Sequence, residues 1–318
     1  MASVNKILIN TVKDFKASIA ASNHRGWYKS NAIQYWPTRK LIDEFDAVSK
    51  ELFASQAPAS PIFTHEANIG TMGSCFAMRI REWMKTQNKK ADTIFIPEGL
   101  NNSYAVRQYI EWVLTGNRSF DAYAYDQNDT QGIFKWESAE EQQVTKEKFL
   151  EFDGFIITYG LSEIWRDKET KGVFWRGVPE DVFDPNKHEC VSSTVDENYQ
   201  NIIQTINLLQ THCPGKPIII TLSPVPLNAT YLKRSCIISD SISKSILRIA
   251  IDQSLKKSKN VYYWPSFEFV KWLPAHSGIK TFGGEGEDKV LDSRHVSEWA
   301  VDKIIENFSL YFFKPPSN

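Results

Sequence analysis

The chain predicts an α/β fold, a three-layer α/β/α sandwich on a mainly parallel central sheet. Short, almost wholly apolar runs that read as strands alternate with longer amphipathic runs that read as helices. Strands apolar on both sides need cover on both faces, which crossover helices over a parallel sheet provide. Each strand-like run also ends in small and polar residues, as expected along the carboxyl edge where open parallel sheets bind ligands.

Taken in order, residues 1–60 carry short helical patterns, Val12 to Ile19 and Thr38 to Phe53, broken by Pro37 and by Ala57-Pro58-Ala59-Ser60-Pro61. They predict an N-terminal helical arm packed on the core, followed by a catalytic domain over 61–318. The strand Ile69–Met72 breaks at Gly73 and leads to a helix over Cys75–Lys89, on which Met78, Ile80, Trp83 and Met84 share a face. A strand at Thr93–Pro97 and a helix at Ser103–Leu114 follow. Residues 116–150 are turn-rich around Asp121, Asp126, Asn128, Asp129, Thr130 and Gly132, then charged from Glu137 to Lys148. A connection of that length reads as an elaboration with structure of its own or, second, as a flap. The strand Gly154–Tyr159 precedes a helix over Asn198–His212, whose Tyr199, Ile202, Ile203, Ile206 and Leu209 form one stripe. Strands Pro217–Leu222 and Val261–Trp264 alternate with helices Ser241–Lys257 and Ser297–Leu310. Gly283-Gly284-Glu285-Gly286 lacks the Lys-Ser/Thr of a phosphate loop and reads as a flexible connector.

Composition narrows the partners. With 318 residues, 42% of them apolar and 24% charged, the chain can bury a full core. A formal charge of −1 gives no footprint for nucleic acid. No apolar run reaches membrane-span length, and Lys and Asp interrupt the apolar residues of 1–16, so neither a span nor a secretory signal is expected. The four cysteines (Cys75, Cys190, Cys213, Cys236) form no CxxC, which fits a reduced, cytoplasmic chain without a disulfide framework or zinc site. No metal and no cofactor are expected.

The strand ends carry the chemistry. Ser74 and Cys75 stand where a strand turns into a helix, and free N–H groups at a helix start favour developing negative charge there. Asp292-Ser293-Arg294-His295 places a carboxylate just before an imidazole, ahead of the last helix. A nucleophile and an Asp–His pair are the parts of acyl transfer through a covalent intermediate. The competing reading is ordinary: polar loops, with Asp292 or Ser297 capping a helix. Glu98-Gly99-Leu100-Asn101-Asn102, Gly160-Leu161-Ser162-Glu163, Ser223-Pro224 and Pro265-Ser266 line the same predicted rim.

Gly73-Ser74-Cys75-Phe76-Ala77 resembles the signature of the GSCFA family, which looks like a distant branch of the SGNH/GDSL hydrolases. Thr158 to Trp165, Thr221 to Leu227, Ser243 to Arg248 and Tyr263 to Glu268 resemble further family segments, in family order. The resemblance implies a flavodoxin-like sheet, with His295 as general base oriented by Asp292. The nucleophile stays open: Ser74 as a direct substitute for the SGNH serine, or Cys75 if Gly73-Ser74-Cys75 is laid on Gly-Asp-Ser. Gly160 resembles the glycine of the SGNH Gly-x-Asn-Asp block, but Ser162 replaces the asparagine and Glu163 the aspartate. Asn102 or the Gly99 backbone could supply a further oxyanion donor. Glu163 reads either as a buried carboxylate orienting the site or as a charge at a helix start. The implied activity is that of an O-acetyl esterase or O-acetyltransferase on a saccharide, with a possible acyl donor; a cytoplasmic location tilts toward transfer. The alternative is a non-catalytic saccharide-binding or scaffold protein. Ten tryptophans agree with a carbohydrate substrate, since sugar rings stack on aromatic faces, but most lie on helical or strand faces and read as core; Trp165, Trp175 and Trp264 lie near predicted strand ends.

Overall fold

The computed structural model describes residues 36–37, 39–73, 75–86, 91–93, 102–117, 139–174, 177–178, 180, 183–283 and 294–315. The expected helix Val12–Ile19, the turn-rich stretch Asp121–Gly132, Trp175 and Gly284-Glu285-Gly286 lie outside them. The chain divides into two compact units, Met1–Glu44 and Phe45–Asn318. In the first, the described part is the short helix α1 (Arg39–Asp43). The second opens with α2 (Phe45–Ala54), so the single helix expected over Thr38–Phe53 is instead two.

The second unit is built on five parallel strands: β1 (Ile69–Gly73), β2 (Ala91–Thr93), β3 (Gly154–Tyr159), β7 (Ile218–Leu222) and β8 (Val261–Trp264). They lie in the order β2-β1-β3-β7-β8. Register runs from Ile69 opposite Gly154, through Phe155 opposite Ile218, to Ile218 opposite Val261. This is a doubly wound order whose direction of winding reverses between β1 and β3.

Alternate side chains feed two cores. Phe155, Ile157 and Tyr159 of β3, with Ile220 and Leu222 of β7, pack under α4 (Ser103–Thr115), α6 (Val195–His212) and α7 (Cys236–Lys257). Ile156, Ile219 and Trp264 face α2, α3 (Cys75–Thr86), α8 (Ser266–Lys271) and α10 (Glu298–Phe312). The result is the three-layer α/β/α sandwich. Between α8 and α10 lies the short α9 (Leu273–Ser277).

Two parts of the architecture exceed the sequence expectation. Part of the stretch left as an elaboration is a helix, α5 (Ala139–Glu151), which buries Phe149 alone. A second, antiparallel sheet, β5-β4-β6, is inserted between β3 and α6 from β4 (Glu163–Asp167), β5 (Val173–Phe174) and β6 (His188–Ser192). Helix α6 also starts earlier than its apolar stripe, because Thr194 and Glu197 form a reciprocal capping box. Among the described residues no helix is long and apolar enough to cross a membrane.

Candidate functional site

The carboxyl edge of the sheet is organised around Gly73. Its φ of +117° is a region that L side chains rarely adopt, and a Cβ there would stand 2.2 Å from the Thr158 carbonyl oxygen. Glycine therefore lets β1 stay paired to the end of β3 while the chain turns into α3 at Cys75. This turn sits at the switch point between β1 and β3, where open α/β sheets hold their ligands. Ser74, Gly99 and Asp292 lie outside the described residues, and of Cys75 only its place as the first residue of α3 is described.

The exit from β3 is held on all sides. The buried Lys244 ammonium donates to the Gly160 carbonyl. The Ser162 N–H donates to Ser243 Oγ at 2.7 Å, and the Ser162 carbonyl accepts from both the N–H and the hydroxyl of Ser193, at 2.8 and 2.7 Å. The main chain of Ser162 is thus fully engaged, and its buried hydroxyl has no partner among the described residues.

From Ser193 a buried polar chain runs across to α4. Asn198 donates to Ser193 Oγ at 2.8 Å and accepts from Ser103 Oγ at 2.7 Å. Asn201 donates to Ser103 Oγ at 3.3 Å and accepts from Arg107 Nε at 2.8 Å. Ser103 follows Asn102, whose Oδ1 caps α4 by accepting from the Ala105 N–H at 2.9 Å. The hydrogen-bonded system therefore links Ser162 to Ser103, the residue after Asn102, and Asn102 Oδ1 is spent on the helix.

Glu163 begins a strand, which removes its reading as a helix-start charge. Its buried carboxylate accepts from the Thr230 hydroxyl at 2.8 and 3.1 Å and lies 3.7 Å from the Arg234 guanidinium. Arg234 also donates to Ser239 Oγ and Ser192 Oγ, at 2.8 and 2.9 Å.

Helix α7 is the clamp that sequence reasoning missed. Ser243 and Lys244 hold the β3 exit, while Asp240 accepts from the Leu227 N–H at 3.0 Å beyond the β7 exit. Asp240 also lies 3.9 Å from Lys244 and 3.8 Å from Lys271. Burial pushes the Lys244 ammonium down to about 8, with Asp240 acting in the opposite sense. A signal was present: Ser239, Asp240, Ser243 and Lys244 share the stripe that continues through the buried Leu247, Ala250 and Ile251. Polar residues on a core-facing stripe imply polar partners.

His295 is exposed. Its neighbour Arg294 donates from Nε and Nη2 to the Pro226 carbonyl, both at 3.4 Å, which ties this segment to the chain leaving β7. The Gly283 N–H donates to the His295 carbonyl at 3.0 Å, and Ser297 caps α10. Trp264, by contrast, is a core residue: it stacks on Phe53 at 4.5 Å and meets Phe308 and Phe312 edge-on. Trp165 is half-buried between Phe183 and Tyr231. Cys190, Cys213 and Cys236 are free thiols, and among the described residues no group of three or more His, Cys, Asp or Glu could hold a metal ion.

The GSCFA family profile matches residues 68–308, a span that takes in every strand of the sheet, the Gly73 turn and His295. The chain belongs to the GSCFA family. Among solved structures, this GSCFA chain is similar to a Streptococcus pneumonia protein provisionally described as a platelet activating factor. The identity is 12%, with 86% of this chain and 92% of that one covered and a TM-score of 0.41. It is also similar to a GDP-L-fucose synthetase from Naegleria fowleri bound to NADP, at 10% identity over 66% of this chain and 52% of that one, with a TM-score of 0.26. Likenesses this distant bear on neither substrate nor reaction. No curated protein matches the chain.

Proposed function

We propose that this GSCFA protein is an acyl-transfer enzyme of the SGNH type. Ser74 or Cys75 attacks an ester carbonyl, His295 takes the nucleophile's proton, and Asp292 orients the imidazole. The tetrahedral oxyanion collapses to an acyl-enzyme as the alcohol leaves with the proton from His295. Water or a sugar hydroxyl then takes the acyl group, giving an O-acetyl esterase or an O-acetyltransferase on a saccharide. The supporting observation is the Gly73 turn, where only a glycine fits between β1 and β3 and α3 starts at Cys75, at the switch point of the sheet. Oxyanion donors on this reading are the N–H groups at the start of α3, the Ser162 hydroxyl and Asn102.

One observation favours a second reading, a non-catalytic saccharide-binding or scaffold protein. Ser162 stands in place of the SGNH asparagine, and its N–H is already given to Ser243. Turnover of p-nitrophenyl acetate, with mass-spectrometric mapping of fluorophosphonate and iodoacetamide adducts, separates the two. An enzyme is expected to be labelled at Ser74 or Cys75 and to lose about 100-fold or more in turnover in His295→Ala. Ser74→Ala and Cys75→Ala identify the nucleophile by which one abolishes the adduct. Absence of an adduct at both, with turnover indifferent to His295→Ala, selects the second reading.

A further inference from the structure

The inserted sheet presents a face that the acyl-transfer chemistry does not use. Side chains alternate along a strand, so Glu163 and Trp165 of β4 share one face with Ser192 and Cys190 opposite them on β6. Trp165 meets Tyr231 at 5.0 Å between ring centroids and 66° between planes, and Phe183 at 5.5 Å and 85°. The three rings make an angled ledge and not a closed stack. Tyr231 is 71% exposed and Phe183 43%, an unusual placement for large aromatic side chains.

The ledge adjoins the exit of β3. Trp165 lies two residues along β4 from Glu163, about 7 Å at strand rise, and Glu163 directly follows Gly160-Leu161-Ser162. Tyr231 belongs to the connection that carries Pro226 and Leu227 away from β7. Beside the rings, on the same face, stand the Glu163 carboxylate, the Arg234 guanidinium and the Ser192 hydroxyl.

We infer that Trp165, Phe183 and Tyr231 form a subsite for the pyranose ring of a neutral saccharide. The exposed rings of Tyr231 and Phe183 offer apolar surface that matches the C–H face of a sugar, and the half-buried Arg234 guanidinium at the margin suits its hydroxyls, while Glu163 holds that guanidinium from beneath. One charge of each sign leaves no net attraction for an anion or a cation. A ledge built for an acyl chain would be apolar to its margin. The inference rests on the acyl-transfer reading for the role of the sugar, as the ester's alcohol, and adds its class and position.

The test is a glycan array of neutral and acidic oligosaccharides probed with the full chain, followed by calorimetric titration of the strongest neutral hit. Tyr231→Ala and Phe183→Ala are expected to weaken binding about 10-fold or more, and Trp165→Ala to abolish it, with far-UV circular dichroism unchanged for the two exposed sites. No bound glycan, binding confined to acidic glycans, or affinity unchanged in Tyr231→Ala and Phe183→Ala each overturns the inference. So does concentration-dependent dimerisation lost in Tyr231→Ala without glycan binding, which would make the face a self-contact. Wild-type turnover of p-nitrophenyl acetate reads the other proposal separately: turnover without glycan binding sinks the subsite alone, and glycan binding without turnover sinks the acyl transfer alone.

Discussion

Lys244 is held where its chemistry is least at ease. The ammonium is enclosed, donates to the Gly160 carbonyl and sees Asp240 only at 3.9 Å, so desolvation outweighs the carboxylate and brings its pKa to about 8. Between that value and the ordinary 10.5 the unfolded chain binds more protons than the folded one, so this residue's contribution to stability rises with pH. Full relief amounts to about 3 kcal/mol at 1.36 kcal/mol per pKa unit. Thiols act oppositely, the half-buried Cys190 being pushed up to about 11 by desolvation, so the quantity to measure is a difference. Urea unfolding of wild type against Lys244→Met is expected to diverge in favour of wild type from pH 8 to 10.5, and to hold a constant gap below pH 7. A gap independent of pH throughout would show that Lys244 is solvated. This residue was not legible in the sequence, because a lysine on a helix reads as exposed unless its stripe is followed. Gly73 was legible, since a glycine ending an apolar run has few other uses.

At the scale of elements, the polar chain from Arg107 to Ser162 joins α4, α6 and the β3 exit, in addition to the apolar core that these elements share. Asn198 is its hub: buried, donating to Ser193 Oγ and the Thr194 carbonyl and accepting from Ser103. Removing it leaves buried hydroxyls short of partners, so Asn198→Ala is expected to cost about 2–3 kcal/mol in urea unfolding. Amide exchange at Ser162 is expected to quicken by more than the global destabilisation accounts for, because the loop loses its own tether. The strands β1, β3, β7 and β8 were legible nearly to the residue, since unbroken apolar runs bounded by glycine, proline or polar residues have few other readings. The inserted sheet was not. Its strands carry Glu163, Arg166, Asp167 and Glu189 between their apolar residues, and ion pairs such as Arg166 to Glu189 at 2.9 Å replace a hydrophobic pattern. The polar chain escaped for a related reason: its members read as ordinary loop and helix-surface polar residues until folding brings them together.

For the whole molecule, the sandwich draws its stability from two aromatic-rich cores on opposite faces of one sheet. Trp264 packs against Phe53, Phe308 and Phe312, whereas Tyr231 lies mostly in solvent. Trp264→Ala is accordingly expected to cost about 3–5 kcal/mol, and Tyr231→Ala less than about 0.5 kcal/mol, by thermal or urea unfolding. Comparable losses would mean that the aromatic ledge is a third core. Composition announced many aromatic residues but not this division of labour, because a tryptophan near a strand end serves core or surface according to packing partners remote in sequence.

The strand order also governs how the sheet is assembled during synthesis. Val261–Trp264 covers the free edge of Ile218–Leu222, yet leaves the ribosome after it. At about 5–20 residues per second the intervening stretch takes about 2–8 s to translate. For that interval the growing polypeptide carries a bare row of amide and carbonyl groups, and neighbouring nascent chains on the same message are the nearest partners for it.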